Sequence, residues 1–212
     1  MSEEAKKFRY VKPYVSEKVI KDGEEKTPKL DTPKFRDSFK AAEVTYEREN
    51  VNGLLAEVKF QENYNNDGSD MRLLFITKDS YLVVTLSCQA VTGKQVMKRL
   101  MNVDTSKNVV LNVWKNGKGF ANISVFQRDE NDVNEKGIAK KVYTPDAFAD
   151  DENLPEVTEV KFGKEIKKDH YAQVEYMKER IEEWAKADPN IPKNFELIEF
   201  NGGGEDDGDD DK

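Results

Sequence analysis

The residues whose types and spacing could do chemistry lie around one predicted β-hairpin in the middle of the chain. Trp114 and Phe120 flank the sequence Lys115-Asn-Gly-Lys118. Aromatic faces accept stacked bases at about 1–3 kcal/mol per base, while cations follow the phosphates of a single strand. The strongest individual candidates are Trp114, Lys115, Lys118 and Tyr81. The alternative is that the aromatic residues are ordinary core and the lysines are solvated turn residues.

The basic residues are concentrated in the centre of the sequence. Residues 71–128 carry nine basic and two acidic side chains, whereas residues 129–212 carry 12 basic and 25 acidic ones. The nine basic residues are Arg72, Lys78, Lys94, Lys98, Arg99, Lys107, Lys115, Lys118 and Arg128. A basic block followed by an acidic end is typical of an anion-binding groove with a separate anionic appendage. Lysines that only protect turns and sheet edges are the alternative.

The last 12 residues form a segment of a different kind. Three glycines follow Asn201, and the acidic residues after them are Glu205, Asp206, Asp207, Asp209, Asp210 and Asp211. These carboxylates repel one another and have no apolar neighbour to bury, which predicts a disordered tail over residues 201–212. The tail could serve solubility, compete for the protein's own basic groove, or contact basic partners.

Residues that would support catalysis are sparse. His170 is the only histidine and Cys88 the only cysteine, so we expect no zinc site and no disulfide. Val91-Thr-Gly-Lys94 lacks the upstream glycine of a phosphate loop, and Gln95 stands where that loop needs Ser or Thr. Acids are abundant enough to leave a metal-dependent nuclease open, but no spacing singles out a pair. We therefore predict a protein that is not an enzyme, with no cofactor and no metal.

The composition indicates a globular protein with a modest core. Of its 212 residues, 50 are Leu, Ile, Val or Phe, while 36% are charged and the net charge is −8. The apolar share exceeds the roughly 20% that a core requires. The first seven residues contain acids and no apolar run, and the longest uncharged stretch, Ser80–Gly93, is shorter than the about 20 residues of a membrane span. We expect a cytoplasmic protein without membrane contact.

Periodicity predicts the elements that must position the candidate residues. Residues 1–37, broken by three prolines, indicate an extended charged arm with one strand near Tyr10–Ile20. The following strands are predicted near 54–60, 73–76, 81–86, 109–114 and 120–126, with a helix over 92–101. A short loop, Thr77–Ser80, joins the second and third strands. Asn116-Gly117 predicts a two-residue turn in which both residues have positive φ.

Residues 129–200 predict an acidic extension with a long helix. Residues 129–165 look irregular apart from a possible strand at Val157–Phe162, and residues 195–200 suggest a last strand. A long helix is predicted over 167–187, ended by Pro189 and Pro192. Its apolar stripe consists of Tyr171, Val174, Met177, Ile181 and Trp184. That stripe either packs on the β domain or forms an interface with a partner or a second copy.

Three strands, a short helix and a closing hairpin are the strand order of an OB-fold, a five-stranded Greek-key barrel that binds oligonucleotides and oligosaccharides. With the acidic tail Glu205–Asp211, the chain resembles a phage-type single-stranded-DNA-binding protein. The resemblance is architectural and covers about residues 40–127 and 201–212. It implies that the barrel holds DNA and that the tail recruits replication or recombination enzymes. Tails of this kind commonly finish with an aromatic residue, whereas this chain finishes with Lys212.

These observations together predict a mainly β, α+β fold in four parts. The parts are an arm (1–37), an OB-like barrel (38–128), an acidic extension with helix 167–187 (129–200) and the tail (201–212). The expected function is non-catalytic binding of single-stranded DNA in the replication, recombination and repair of bacteriophage DNA, with single-stranded RNA as the alternative ligand. The predicted nucleic-acid-binding residues are Trp114, Lys115, Lys118, Tyr81, Phe120, Arg72, Lys78, Lys94, Lys98 and Arg99. The alternative is an accessory or inhibitory protein–protein module that uses the C-terminal helix and the tail.

Overall fold

The structure is a computed structural model that describes residues 6–16, 19–21, 24–26, 29–38, 47–63, 68–163 and 165–198. The predicted disordered tail, residues 201–212, lies outside the described residues. Among the residues that are described, no helix combines the length and the apolar character needed to cross a membrane.

Most elements of the described structure are β-strands. The N-terminal strands are β1 (Lys7–Ser16), β2 (Val19–Lys21), β3 (Glu24–Lys26), β4 (Lys29–Asp37) and β5 (Glu47–Arg48). The central elements are β6 (Asn50–Glu62), β7 (Ser69–Ile76), β8 (Ser80–Ser87), α1 (Val91–Leu100), β9 (Val109–Lys115) and β10 (Ala121–Val133). The C-terminal elements are β11 (Ala139–Tyr143), β12 (Thr158–Phe162), β13 (Glu165–Asp169), α2 (Tyr171–Ala187) and α3 (Asn190–Glu196).

One large sheet dominates the fold. Its nine strands follow the order β11-β10-β9-β6-β7-β8-β1-β4-β5, and β12-β13 and β2-β3 form separate two-stranded sheets. Neighbouring strands of the large sheet are antiparallel except β1 with β8, which are parallel. The predicted α+β class is therefore confirmed. The specific prediction of a closed five-stranded barrel is not, because the described strands pair as an open nine-stranded sheet.

Alternating side chains decide which face of the sheet is buried. On β7, Met71, Leu73 and Phe75 face the core, and on β8 Leu82 and Val84 do the same. Because strand side chains point alternately to opposite faces, the residues between them lie on the outer face. The outer face carries polar, aromatic and charged side chains and a second, smaller apolar cluster that includes Leu74, Tyr81 and Ile198.

Strand β6 changes partner along its length, and two local features allow this. A Cβ on Gly53 would lie 2.4 Å from the carbonyl oxygen of Ile76, so only glycine permits this close approach. The register shifts between Leu55 and Glu57, which marks a bulge. The buried side chain of Asn194, on α3, donates hydrogen bonds to the Leu55 carbonyl (2.9 Å) and to the Thr105 carbonyl (2.8 Å). The bulge is thus tied to the C-terminal helices.

The helices confirm most of the predicted apolar periodicity. Helix α1 occupies nearly the predicted range. On α2, Val174, Met177 and Ile181 are buried in the main core, and Trp184 packs partly against it. Tyr171, at the start of the same stripe, is exposed. The stripe therefore packs on the β body, which was the first of the two expected roles.

Four predictions of element position are wrong. The N-terminal segment is not a separate arm, because β1 and β4 are inner strands of the large sheet and Val11 is in its core. The chain after residue 128 is not irregular, since β10 runs to Val133 and pairs with β11. Residues 165–169 form β13, so the long helix starts at Tyr171. Phe195 and Glu196 belong to a helix and not to a last strand.

Candidate nucleic-acid interface

A groove on the outer face of β9, β10 and β11 brings aromatic, amide and cationic side chains together. It encloses about 340 Å³. Its lining residues are Asn112, Trp114, Ser124, Phe126, Lys141 and Tyr143. We call this surface the aromatic groove. Register explains the assembly: Asn112 lies opposite Ser124, and Phe126 opposite Tyr143, so each pair shares one face of the sheet.

Two tilted rings in contact form one end of the aromatic groove. The ring centroids of Phe126 and Tyr143 are 5.5 Å apart, with an interplanar angle of 58°. Phe126 is 3% exposed and Tyr143 is 62% exposed, so Phe126 supports Tyr143 from below. The Lys141 ammonium lies 5.1 Å from the centroid of Phe126. An exposed ring beside a cation is what base stacking and phosphate neutralisation require.

Trp114 forms the other end of the aromatic groove. Its side chain is 43% exposed, and its indole N–H donates a hydrogen bond of 2.9 Å to the Ser124 hydroxyl. That bond fixes the orientation of the ring while one face stays accessible. A pre-oriented ring loses little rotational freedom when a base stacks on it.

The hairpin between β9 and β10 is confirmed, but its predicted turn type is wrong. Gly119, with φ of 78°, and not Gly117 has the positive φ. The Asn116 side-chain oxygen accepts hydrogen bonds from the backbone N–H groups of Lys118 (3.0 Å) and Phe120 (2.9 Å). The loop is therefore longer than two residues. Lys115, Lys118 and Phe120 are exposed at this end of the groove.

None of the three predicted cations of α1, Lys94, Lys98 and Arg99, lines the aromatic groove. Lys98 forms an ion pair of 3.2 Å with Asp146, and Arg99 donates to the Gln95 carbonyl at 2.8 Å. Burial and the neighbouring Lys98 lower the pKa of Lys94 from its usual value. Gln95 links the helix to β10, because its side chain donates to Asn122 (2.6 Å) and accepts from the Ile123 N–H (2.7 Å).

The remaining predicted residues lie on another part of the sheet. Tyr81 is 7% exposed, packs with Phe8 at a centroid distance of 5.0 Å, and belongs to a small core that includes Ile198. Its ring is therefore engaged in packing. Arg72 is half-buried on β7 and Lys78 is exposed in the turn before β8. The structure thus groups Trp114, Lys115, Lys118 and Phe120, and separates them from Arg72, Lys78 and Tyr81.

Sequence reasoning missed the part of the aromatic groove that β11 supplies. Lys141 and Tyr143 fall in the acidic C-terminal third, where no sheet strand was expected before residue 157. One signal could have revealed them. Gly137 has a φ of 71°, and the Asn134 side chain accepts from the N–H groups of Lys136 and Ile138. The spacing Asn134-x-x-Gly137 thus repeats Asn116-x-x-Gly119 and marks a second hairpin of the same geometry.

The residues considered for catalysis have ordinary environments. The Cys88 side chain is buried in the main core, and burial raises the pKa of its thiol to about 12. His170 lies 3.3 Å from the Gln173 side-chain oxygen. Within the described ranges, no three His, Cys, Asp or Glu side chains are grouped so that they could hold a metal ion.

The chain matches no protein-family model, no curated protein and no solved structure. The geometry of the aromatic groove and the sequence are therefore the grounds for a functional proposal.

Proposed function

We propose that this protein binds single-stranded DNA without catalysis and that the aromatic groove holds the bases. One observation carries the proposal: the exposed faces of Trp114 and Tyr143 lie on one sheet surface, with the Lys141 ammonium beside them. Stacking tolerates any base and cations follow the phosphate backbone, so this surface suits binding without sequence preference.

An OB-like arrangement of the central strands supports the same proposal. Five neighbouring strands of the large sheet follow the order β10-β9-β6-β7-β8. Along the chain, α1 lies between β8 and β9. This strand order and this helix position are those expected for an OB-fold. Only Glu49 separates β5, at one end of the sheet, from the central strand β6. In OB-folds the loop between the last two strands contacts oligonucleotides. Here that loop is residues 116–120, beside Trp114.

The proposal extends to replication and recombination through the acidic tail. Its residues Glu205–Asp211 would compete with DNA or contact basic replication and recombination proteins, as the sequence suggests. These roles depend on sequence alone, because the tail lies outside the described residues.

The alternative function, a protein–protein module, depended partly on the apolar stripe of α2. Most of that stripe is buried against the β body. The surface left for a partner on α2 is then Tyr171 and the charged face, and no further contact favours this alternative.

The first test measures binding of a fluorescein-labelled oligo(dT), about 30 nucleotides long, by fluorescence anisotropy. Trp114→Ala and Tyr143→Ala should each weaken binding by about 10- to 100-fold, since each removes one stacking platform. Tyr171→Ala is the matched control, because Tyr171 is 57% exposed and lies outside the groove. Circular dichroism should show that all three variants stay folded.

A second readout isolates the indole of Trp114. The chain has two tryptophans, so Trp184→Phe leaves Trp114 as the only source of tryptophan fluorescence. Its fluorescence should be quenched on addition of oligo(dT), with the same affinity as the anisotropy titration. Unchanged anisotropy affinity in both groove variants, together with unquenched Trp114, would exclude the aromatic groove as the binding site.

A further inference from the structure

A second group of cations surrounds an aromatic ring on the outer face of β1 and β4. Lys12 lies opposite Arg36, and Tyr14 opposite Lys34, so all four share this face. The Lys12 ammonium is 5.4 Å from the centroid of the Tyr14 ring, and the Arg36 guanidinium carbon is 5.9 Å from it. Tyr10, two residues before Lys12 on the same face, is exposed.

Arg72 extends this group of cations across the neighbouring strands. Arg72 lies opposite Thr85 of β8. On the other side of β8, Val11 of β1 lies opposite Val84, so the next residue of β1, Lys12, is level with Thr85. The Nε of Arg72 is buried and has no hydrogen-bond partner among the described residues. We call Lys12, Tyr14, Lys34, Arg36 and Arg72 the N-terminal cationic face.

A single carboxylate pairs with two of the cations on this face. Glu47 forms ion pairs with Lys34 and Arg36, and the hydrogen bond from Lys34 lowers the pKa of Glu47. In the part of the chain that the structure describes, no carboxylate lies within ion-pair distance of Lys12 or Arg72. A polyanion on this face would therefore meet two positive charges that the described carboxylates do not pair with.

The N-terminal cationic face and the aromatic groove are connected through β5 and β6. Arg36 pairs with Glu47, and Asn50, three residues later, lies opposite Asn112 of the groove. Three residues of extended chain cover about 10 Å. A single strand that leaves the groove at Asn112 could reach Arg36 and Lys12 within a few nucleotides.

We propose that the N-terminal cationic face binds the phosphates of the same single strand that stacks in the aromatic groove, so that the strand crosses the sheet over residues 47–50. This inference rests on the proposed function and adds a second contact region to it. It predicts that short oligonucleotides fill only the groove, whereas long ones contact both surfaces.

The test compares oligo(dT) of about 8 and about 30 nucleotides, lengths below and above the reach of one groove. Lys12→Glu in the full-length chain should weaken binding of the long oligonucleotide about tenfold and reduce the slope of log affinity against log salt by about 0.7 or more. Binding of the short oligonucleotide should change no more than it does in Lys186→Glu, a control with the same charge change at an exposed position of α2. Arg72→Gln should act in the same direction as Lys12→Glu.

Equal effects of Lys12→Glu and Lys186→Glu on the long oligonucleotide would overturn the inference. Loss of binding in Trp114→Ala would still be observed in that case, so the proposed function would stand. If Trp114→Ala and Tyr143→Ala bind both lengths normally, the proposed function fails instead.

The acidic tail is the alternative occupant that the test must exclude. Ile198, the last described residue, packs near Leu74 and Tyr81 on the outer side of β7 and β8, and Arg72 lies on the same side of β7. A full-length variant with its six tail acids changed to Asn or Gln tests this. Our inference is wrong if two results are found together. The first is that Lys12→Glu leaves binding of the long oligonucleotide unchanged. The second is that, in the Lys12→Glu protein, changing the tail acids no longer alters that binding, which would mean that the face binds the tail.

Discussion

At the residue scale, burial separates aromatic residues that can stack with bases from those that hold the core. Trp114 and Tyr143 keep exposed faces, while Phe126 and Tyr81 are almost fully buried. Hydrogen bonding adds a second distinction, since Ser124 fixes the indole of Trp114. The side chains that could bind a ligand are therefore those that neighbours orient without covering.

Cys88 provides a residue-scale prediction about reactivity. Burial raises the pKa of its thiol from 9.0 to about 12, so at pH 8 the reactive thiolate is about a thousandfold scarcer than in an unperturbed cysteine. Because the pKa is raised, the thiol stays protonated throughout the physiological pH range. Iodoacetamide, followed by mass spectrometry, should modify the native protein very slowly and the urea-unfolded protein rapidly. Rapid modification of the native protein would show that the Cys88 region opens readily.

At the element scale, backbone contacts at glycines fix the position of α1 and the shape of β6. A Cβ on Gly93 would lie 2.0 Å from the carbonyl oxygen of Ser87, at the end of β8. Helix α1 therefore packs directly on backbone, which brings Gln95 to the edge of β10. The Gln95 side chain therefore accepts a hydrogen bond from the β10 backbone at Ile123, ahead of Phe126, where β11 begins to pair with β10.

Gly93→Ala tests this close contact. The added methyl group would force backbone apart, which we expect to destabilise the protein by about 1–3 kcal/mol or more. Gly117→Ala is the matched control, because a Cβ there meets no atom within 4 Å and Gly117 is not among the glycines with positive φ. Urea unfolding followed by circular dichroism gives both free energies of unfolding. Similar stability of the two variants would contradict the position of α1.

At the scale of the whole molecule, segments from both ends of the chain build one core. Val11 of β1, Phe35 of β4 and Val174 of α2 join the central strands in a single buried cluster. The parallel pairing of β1 with β8 closes an edge that the central strands would otherwise leave open. We therefore expect these segments to unfold together.

Val11→Ala measures how far the N-terminal strands contribute to that core. Val11 is fully buried, so removing two methyl groups should cost about 1.5–3 kcal/mol of the free energy of unfolding. Val91→Ala should change stability little, since Val91 is 57% exposed. Differential scanning calorimetry should show one transition in both variants. A negligible effect of Val11→Ala would mean that β1 is a detachable arm.

The sequence by itself determined the central elements and one lining residue of the aromatic groove, Trp114. Period-two alternation located β6 to β10, and the stripe on α2 gave its buried face, because local apolar periodicity reports which side meets a core. The hairpin at residues 114–120 identified one end of the groove, because its aromatic residues and lysines are neighbours in the sequence.

Only the tertiary structure decided the rest. The charge and prolines of the N-terminal segment hid β1 and β4, whose place depends on the distant strand β8. The acidic composition after residue 128 likewise hid Lys141 and Tyr143, which reach the groove only because β11 pairs with β10. Cross-strand register joins residues far apart in sequence, and no local pattern encodes it. Burial of Tyr81 under Phe8 follows from the same long-range pairing.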